Sequence, residues 1–174
     1  MRRRLCLCLA VWAATASAAL AGKPTNAFTI SLPGGKDYLS ADEGKLTVGA
    51  APKDVDWYDK PAPGRWYVEG TRIKSTVGYG YLAYDPTGKD TRVFLAPRPG
   101  PGTEWDVRVP KKRRDGEGER GAIWAASGKF KGWVLTVAEV KEKGPGGKTV
   151  LSQRAVLARD PKVRLEVERI WWHP

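Results

Sequence analysis

Cysteine occurs only at positions 6 and 8 of the 174 residues. Beyond the N-terminal segment the chain therefore has no disulfide, no thiolate metal site and no cysteine nucleophile. Histidine is nearly absent too. The single one, His173, is the second residue from the C-terminus. No Gly-x-Ser-x-Gly, His-Glu-x-x-His or phosphate-cradling glycine loop is present. Paired carboxylates can hydrolyse glycosides, but no pair stands out among the 19 acidic residues. The expectation is a protein that is not an enzyme, with no cofactor and no metal. Amphipathic helices are missing as well: no stretch of about 12 residues has an apolar face at helical spacing.

Glycine and proline are abundant, at 20 and 13 residues, and they are spread along the chain as turn punctuation. The apolar runs between them are short and rich in Val, Ile, Trp and Tyr, which reads as strands. The N-terminus differs. Arg2, Arg3 and Arg4 precede an uncharged apolar run, and small residues lead to Ala19-Leu20-Ala21. This predicts a signal peptide over residues 1–21, with Ala16-Ser17-Ala18 as an alternative cut. An uncleaved anchor is the other reading, since residues 5–22 sit at the lower edge of the roughly 20 apolar residues a span needs. The paired arginines hint at twin-arginine export. Cleavage leaves residues 22–174 as one domain, exported to a secreted, periplasmic or cell-surface location, with no stable membrane insertion.

The charge is one-sided. Without the three signal arginines, 27 basic residues face 19 acidic ones, a net charge of +8. Such a balance serves solubility and favours anionic polysaccharide, acidic cell-wall polymer or a membrane surface. No nucleic-acid partner is expected. The most basic stretch, Lys111, Lys112, Arg113 and Arg114, is a candidate patch for anionic ligands, although Asp115, Glu117 and Glu119 partly neutralise it. As a solvated hairpin tip it would need no ligand.

One pattern organises the rest. Ile30 is followed eight residues later by Tyr38-Leu39, then by Asp42 and Gly44. Ile73 is followed eight residues later by Tyr81-Leu82, then by Asp85 and Gly88. Each copy runs on to a Trp-x-Val, at Trp66 and Trp105. A looser copy starts at Ile123, with Leu135 at the Tyr-Leu step and Leu165 in place of Trp. The units cover about 27–70, 71–110 and 121–170. Three units of four short strands are too few for a capped solenoid and suit a closed barrel without exposed edges. A β-sandwich could also use twelve strands, but it predicts no threefold repeat.

On these residues the chain resembles the β-trefoil superfamily over nearly all of residues 27–170. The resemblance implies an all-β fold of three four-stranded repeats, six strands forming a barrel and three hairpins capping one end. Ile30/Ile73/Ile123, Leu39/Leu82/Leu135 and Trp66/Trp105/Leu165 would be threefold-related core layers. Within that superfamily the chain is similar to ricin-B-like lectin modules. Their Gln-x-Trp is replaced by Gly64-Arg65-Trp66 and Thr103-Glu104-Trp105, and Asp42 and Asp85 lie slightly later than the lectins' sugar-binding Asp. The resemblance implies a carbohydrate-binding, lectin-like module.

A sugar site pairs a planar acceptor with an aromatic face, because sugars offer hydroxyls and an apolar C–H face. Asp42 with Trp57 or Tyr58, and Asp85 with Tyr79 or Tyr84, are the candidate pairs. The same residues serve equally as turn caps and packing. A second reading is a Kunitz-like trefoil protease inhibitor, with Arg98 on the rigid loop 98–102 entering a trypsin-like pocket. A protein–protein module is the third. The expected partner is an extracellular glycan or protein ligand.

Overall fold

The computed structural model describes residues 27–50, 62–108, 121–163 and 165–169. Among them lie twelve β-strands, two short 3-10 turns and no α-helix. No described helix is long and apolar enough to cross a membrane. The strands are β1 (Ala27–Ser31), β2 (Asp37–Asp42), β3 (Lys45–Ala50), β4 (Arg65–Glu69), β5 (Arg72–Ser75) and β6 (Tyr81–Tyr84). They continue with β7 (Val93–Ala96), β8 (Trp105–Arg108), β9 (Ala122–Ala125), β10 (Val134–Lys143), β11 (Thr149–Ala158) and β12 (Glu166–Arg169).

One sheet holds β1 to β7 with β12, and a second holds β8 to β11. The pairings run nearly into a ring. β12 pairs β1, β1 pairs β4, and β4 pairs β5. The Trp105 N–H donates to the Thr71 carbonyl across 2.8 Å and links β8 to the chain just before β5. β8 pairs β9, and the bridge between Gly121 and Val167 returns from there to β12. Three antiparallel hairpins, β2–β3, β6–β7 and β10–β11, stand outside this ring. Their second strands, β3, β7 and β11, pack against one another.

A single core fills the molecule. Ile30, Ile73, Ile123, Leu39, Leu82, Leu135, Trp66, Trp105 and Leu165 are all at most 3% exposed and belong to one cluster. Two bonds recur at matching positions. The Trp66 indole N–H donates to the Leu39 carbonyl at 2.9 Å, and Trp105 donates to Leu82 at 2.8 Å. Likewise Ala41 N–H donates to the Pro63 carbonyl and Tyr84 N–H to Gly102, at 2.7 and 3.0 Å. Each Trp thus ties the strand that ends its segment to the strand that opens its hairpin. The third segment, with Leu165, has no indole to do this. There the Thr136 hydroxyl donates to the Val163 carbonyl instead.

Two expectations are corrected. The alternation in Phe28-Thr29-Ile30 predicts a half-buried strand, yet every residue of β1 is buried. It lies between β12 and β4 and also pairs with β2 at Ser31, so neither of its edges is free. The stretch 141–147 reads as a loop, yet β10 continues through Lys143 and pairs with Thr149. An ion pair between Arg154 and Glu142 ties the two extended strands across this outer part of the hairpin. This hairpin has ten paired positions, against six in β2–β3 and four in β6–β7.

The β2–β3 turn takes left-handed backbone at both central residues, Glu43 (φ 46°) and Gly44 (φ 77°). Primed hairpin turns need this, and Asn-Gly suits them best. Glu43 therefore carries a local cost. Glu43→Asn is expected to raise stability by about 0.5–1 kcal/mol, read as a shift of the urea midpoint at unchanged slope. An unmoved midpoint would show that the turn has no such cost.

Candidate functional site

The hairpins β2–β3 and β6–β7, together with β11, enclose an open depression of about 480 Å³. Lys45 and Leu46 enter it from β3, Arg154 and Ala155 from β11, and Asp85, Asp90 and the start of β7 from the third side. Alternation along β7 sets which side chain is available. Val93 is buried in the core, so Phe94 points the other way, and it is 46% exposed at the rim.

The polar groups of the depression are held in place. Asp85 accepts from the Thr87 backbone N–H at 2.9 Å, the Thr87 hydroxyl at 2.7 Å and the Lys89 N–H at 3.2 Å. The Thr87 hydroxyl, then its N–H, hold the Asp85 carboxyl below the usual carboxylate range. Asp90 accepts from the Arg92 backbone N–H at 2.9 Å and pairs with its guanidinium. The Arg92 backbone N–H is the largest influence lowering the Asp90 pKa, and the guanidinium is the next. Both acids therefore stay charged into weak acid. An exposed ring beside fixed carboxylates and guanidinium groups can stack on an apolar ligand face and hydrogen-bond its polar edge.

The sequence-derived candidates fall in different places. Tyr84 is corrected. Its ring is fully buried, edge-on to Trp105 at 4.9 Å, and has no face for a ligand. Its hydroxyl bonds to the Glu104 carbonyl and to Ser127, which joins the middle of the chain to the segment after β9. Tyr79 is 41% exposed but precedes β6, whereas Asp85 follows it. Four strand residues, roughly 13 Å, lie between them, so this pair does not assemble. Asp42 is exposed at the β2–β3 tip. Trp57, Tyr58, Lys111, Lys112, Arg113 and Arg114 lie outside the described residues. Arg98 is exposed on a loop braced by Thr103, whose hydroxyl bonds to both the N–H and the carbonyl of Gly100.

A second aromatic cluster is closed on itself. Lys74 lies over the rings of Tyr67 and Tyr81 at 5.7 and 5.2 Å, and the Tyr81 hydroxyl donates to Glu69 at 2.8 Å. One face of each ring is already covered by a cation of the same sheet. Among the described residues no group of three or more His, Cys, Asp or Glu is placed to hold a metal.

Phe94, Arg92, Lys45 and Arg154 were not among the sequence-derived candidates. For Phe94 the signal was present: Val93 and Leu95 share one face, so Phe94 has the other. For the three cations no local signal exists, because they meet only where separate hairpins converge. Comparison with known proteins adds no relative: no protein-family model matches the chain, and no curated protein is significantly similar to it.

Proposed function

We propose that the chain is an exported, non-catalytic β-trefoil module that binds carbohydrate in the depression between its hairpins. Three features support the trefoil architecture. The strands β1, β4, β5, β8, β9 and β12 follow one another nearly into a ring, joined by ladders except for a single bond between β8 and Thr71 and a single bridge between Gly121 and Val167, and three hairpins stand outside it. The nine layer residues meet in one core. The Trp-to-Leu carbonyl bond recurs between the first and second segments. Export rests on the charged head, apolar run and small-residue site of residues 1–21.

The observation that carries the binding reading is Phe94. It is an exposed ring at the edge of a depression whose polar groups are already oriented. A pyranose stacks its C–H face on such a ring while its hydroxyls reach Asp85 and Asp90. A glycan-array screen of the purified chain tests this. Retained glycans should bind about tenfold more weakly to Phe94→Ala, equivalent to about 1.4 kcal/mol, at an unchanged melting temperature. Unaltered binding by that variant would remove the depression as the site.

A further inference from the structure

The hairpin registers align the depression in a way that single residues do not reveal. Leu39, Leu82 and Leu135 pair across their hairpins with Val48, Leu95 and Leu157. Two residues before each partner stand Leu46, Val93 and Ala155. Three before stand Lys45, Arg92 and Arg154. All six line the same depression. Each hairpin therefore supplies one apolar residue and one cation at the same register position. The hairpins also touch there: Arg92 bridges to Val156, and the Leu157 N–H donates to the Thr91 carbonyl at 2.8 Å.

We propose that the depression selects an anionic polysaccharide, whose sulfate or carboxylate oxygens are held by Lys45, Arg92 and Arg154, one cation from each hairpin. This rests on reading the depression as the carbohydrate site. The cations remain available for a ligand. Arg92 engages Asp90 through Nε, and Arg154 engages Glu142 through one terminal nitrogen. A guanidinium has five N–H donors, so most donors of each stay free while the acid fixes its position. The two side chains are 62% and 41% exposed. Among the described residues no ion pair engages Lys45. The opposing carboxylates, Asp85 and Asp90, already accept from Thr87, Lys89 and Arg92. A neutral sugar would leave Lys45 without a counter-charge, whereas Arg92 and Arg154 keep Asp90 and Glu142. A sugar bearing oxyanions along its chain supplies a counter-charge to Lys45 and accepts from the free donors of the two guanidinium groups, with one ring on Phe94, two residues after Arg92 in the chain.

The test is a titration of the purified chain with three probes at several salt concentrations. The probes are a heparin oligosaccharide (sulfated), a polygalacturonate fragment (carboxylated), and the heparin chain after desulfation and carboxyl reduction. At least one charged probe should bind, and the neutral chain should bind much more weakly. The log of affinity should fall against the log of salt with a slope of about three. Lys45→Gln, Arg92→Gln and Arg154→Gln should each weaken binding about tenfold and lower the slope by about one. Lys162→Gln, at an exposed bend that does not line the depression, should change neither. If the two charged probes differ, the tighter one identifies the oxyanion.

Three results overturn the assignment. If the neutral chain binds as tightly and Phe94→Ala still weakens it, the carbohydrate reading stands and the anion triad falls. If Lys162→Gln costs as much as Arg92→Gln, the attraction is diffuse and the triad falls. If none of the probes binds at any salt, the triad and the carbohydrate reading fall together.

Discussion

Gly102→Ala is expected to destabilise the protein by more than about 3 kcal/mol, whereas Gly44→Ala should cost only about 1 kcal/mol. Both glycines have left-handed backbone, at φ +83° and +77°. Their surroundings decide the difference. A Cβ on Gly44 meets nothing within 4 Å. A Cβ on Gly102 would lie 2.0 Å from the Tyr84 carbonyl oxygen and 3.2 Å from Cδ of Pro86. Relief requires the two backbones to separate. That breaks the Tyr84 N–H bond to the Gly102 carbonyl and disturbs the Tyr84 hydroxyl at Ser127 and Glu104. For a chain of this length, 3 kcal/mol is on the order of 10 °C in melting temperature. Thermal melts of the two variants side by side check the claim, and equal losses would show that the close approach is not rigid.

The tryptophan anchors carry the second large effect. Trp105→Leu should cost roughly 4 kcal/mol and Trp66→Leu roughly 3 kcal/mol. Leucine is the residue found at the matching position of the third segment, so shape is partly kept. Two losses remain. The Leu82 or Leu39 carbonyl loses its buried indole donor, worth about 1–3 kcal/mol, and part of the ring volume is left empty. Trp105 also loses its edge-on contact with Tyr84, worth about 0.5–1.5 kcal/mol. The Phe variants separate the terms, since they keep most of the volume but not the N–H. Urea unfolding of all four variants measures them. If Trp66→Phe and Trp105→Phe matched the parent, the recurrent indole bond would have no energetic role.

The core was legible because burial follows rules that are local in the chain. Period-2 alternation assigns Ile30, Leu39 and Leu82 to one side of their strands, and the recurrence of Trp-x-Val identifies which aromatic rings belong inside. Glycine turns mark where each hairpin reverses. Tyr84 shows the limit of that logic. An aromatic beside a turn acid has the composition of a ligand platform, but the phase of β6 and the segments carrying Glu104 and Ser127 enclose it. Asp85 behaves similarly: its carboxylate is engaged by its own turn, as an Asp two residues before Thr readily is. Tyr79 and Asp85 are close in number, yet an extended strand holds them apart.

What the amino-acid order determined by itself is therefore the strand content, the three-part rhythm and the identity of the buried layers. Each depends on side-chain periodicity and turn chemistry within a few residues. The tertiary structure decided the rest: the all-buried first strand, the ten-pair third hairpin and the depression. Lys45, Arg92 and Arg154 belong to hairpins far apart in the chain and become neighbours only when β3, β7 and β11 converge. Their common register exists only once each hairpin's pairing is known. The proposed site, with one cation per hairpin, has no contiguous motif, because the distances that define it are set by packing and not by spacing along the chain.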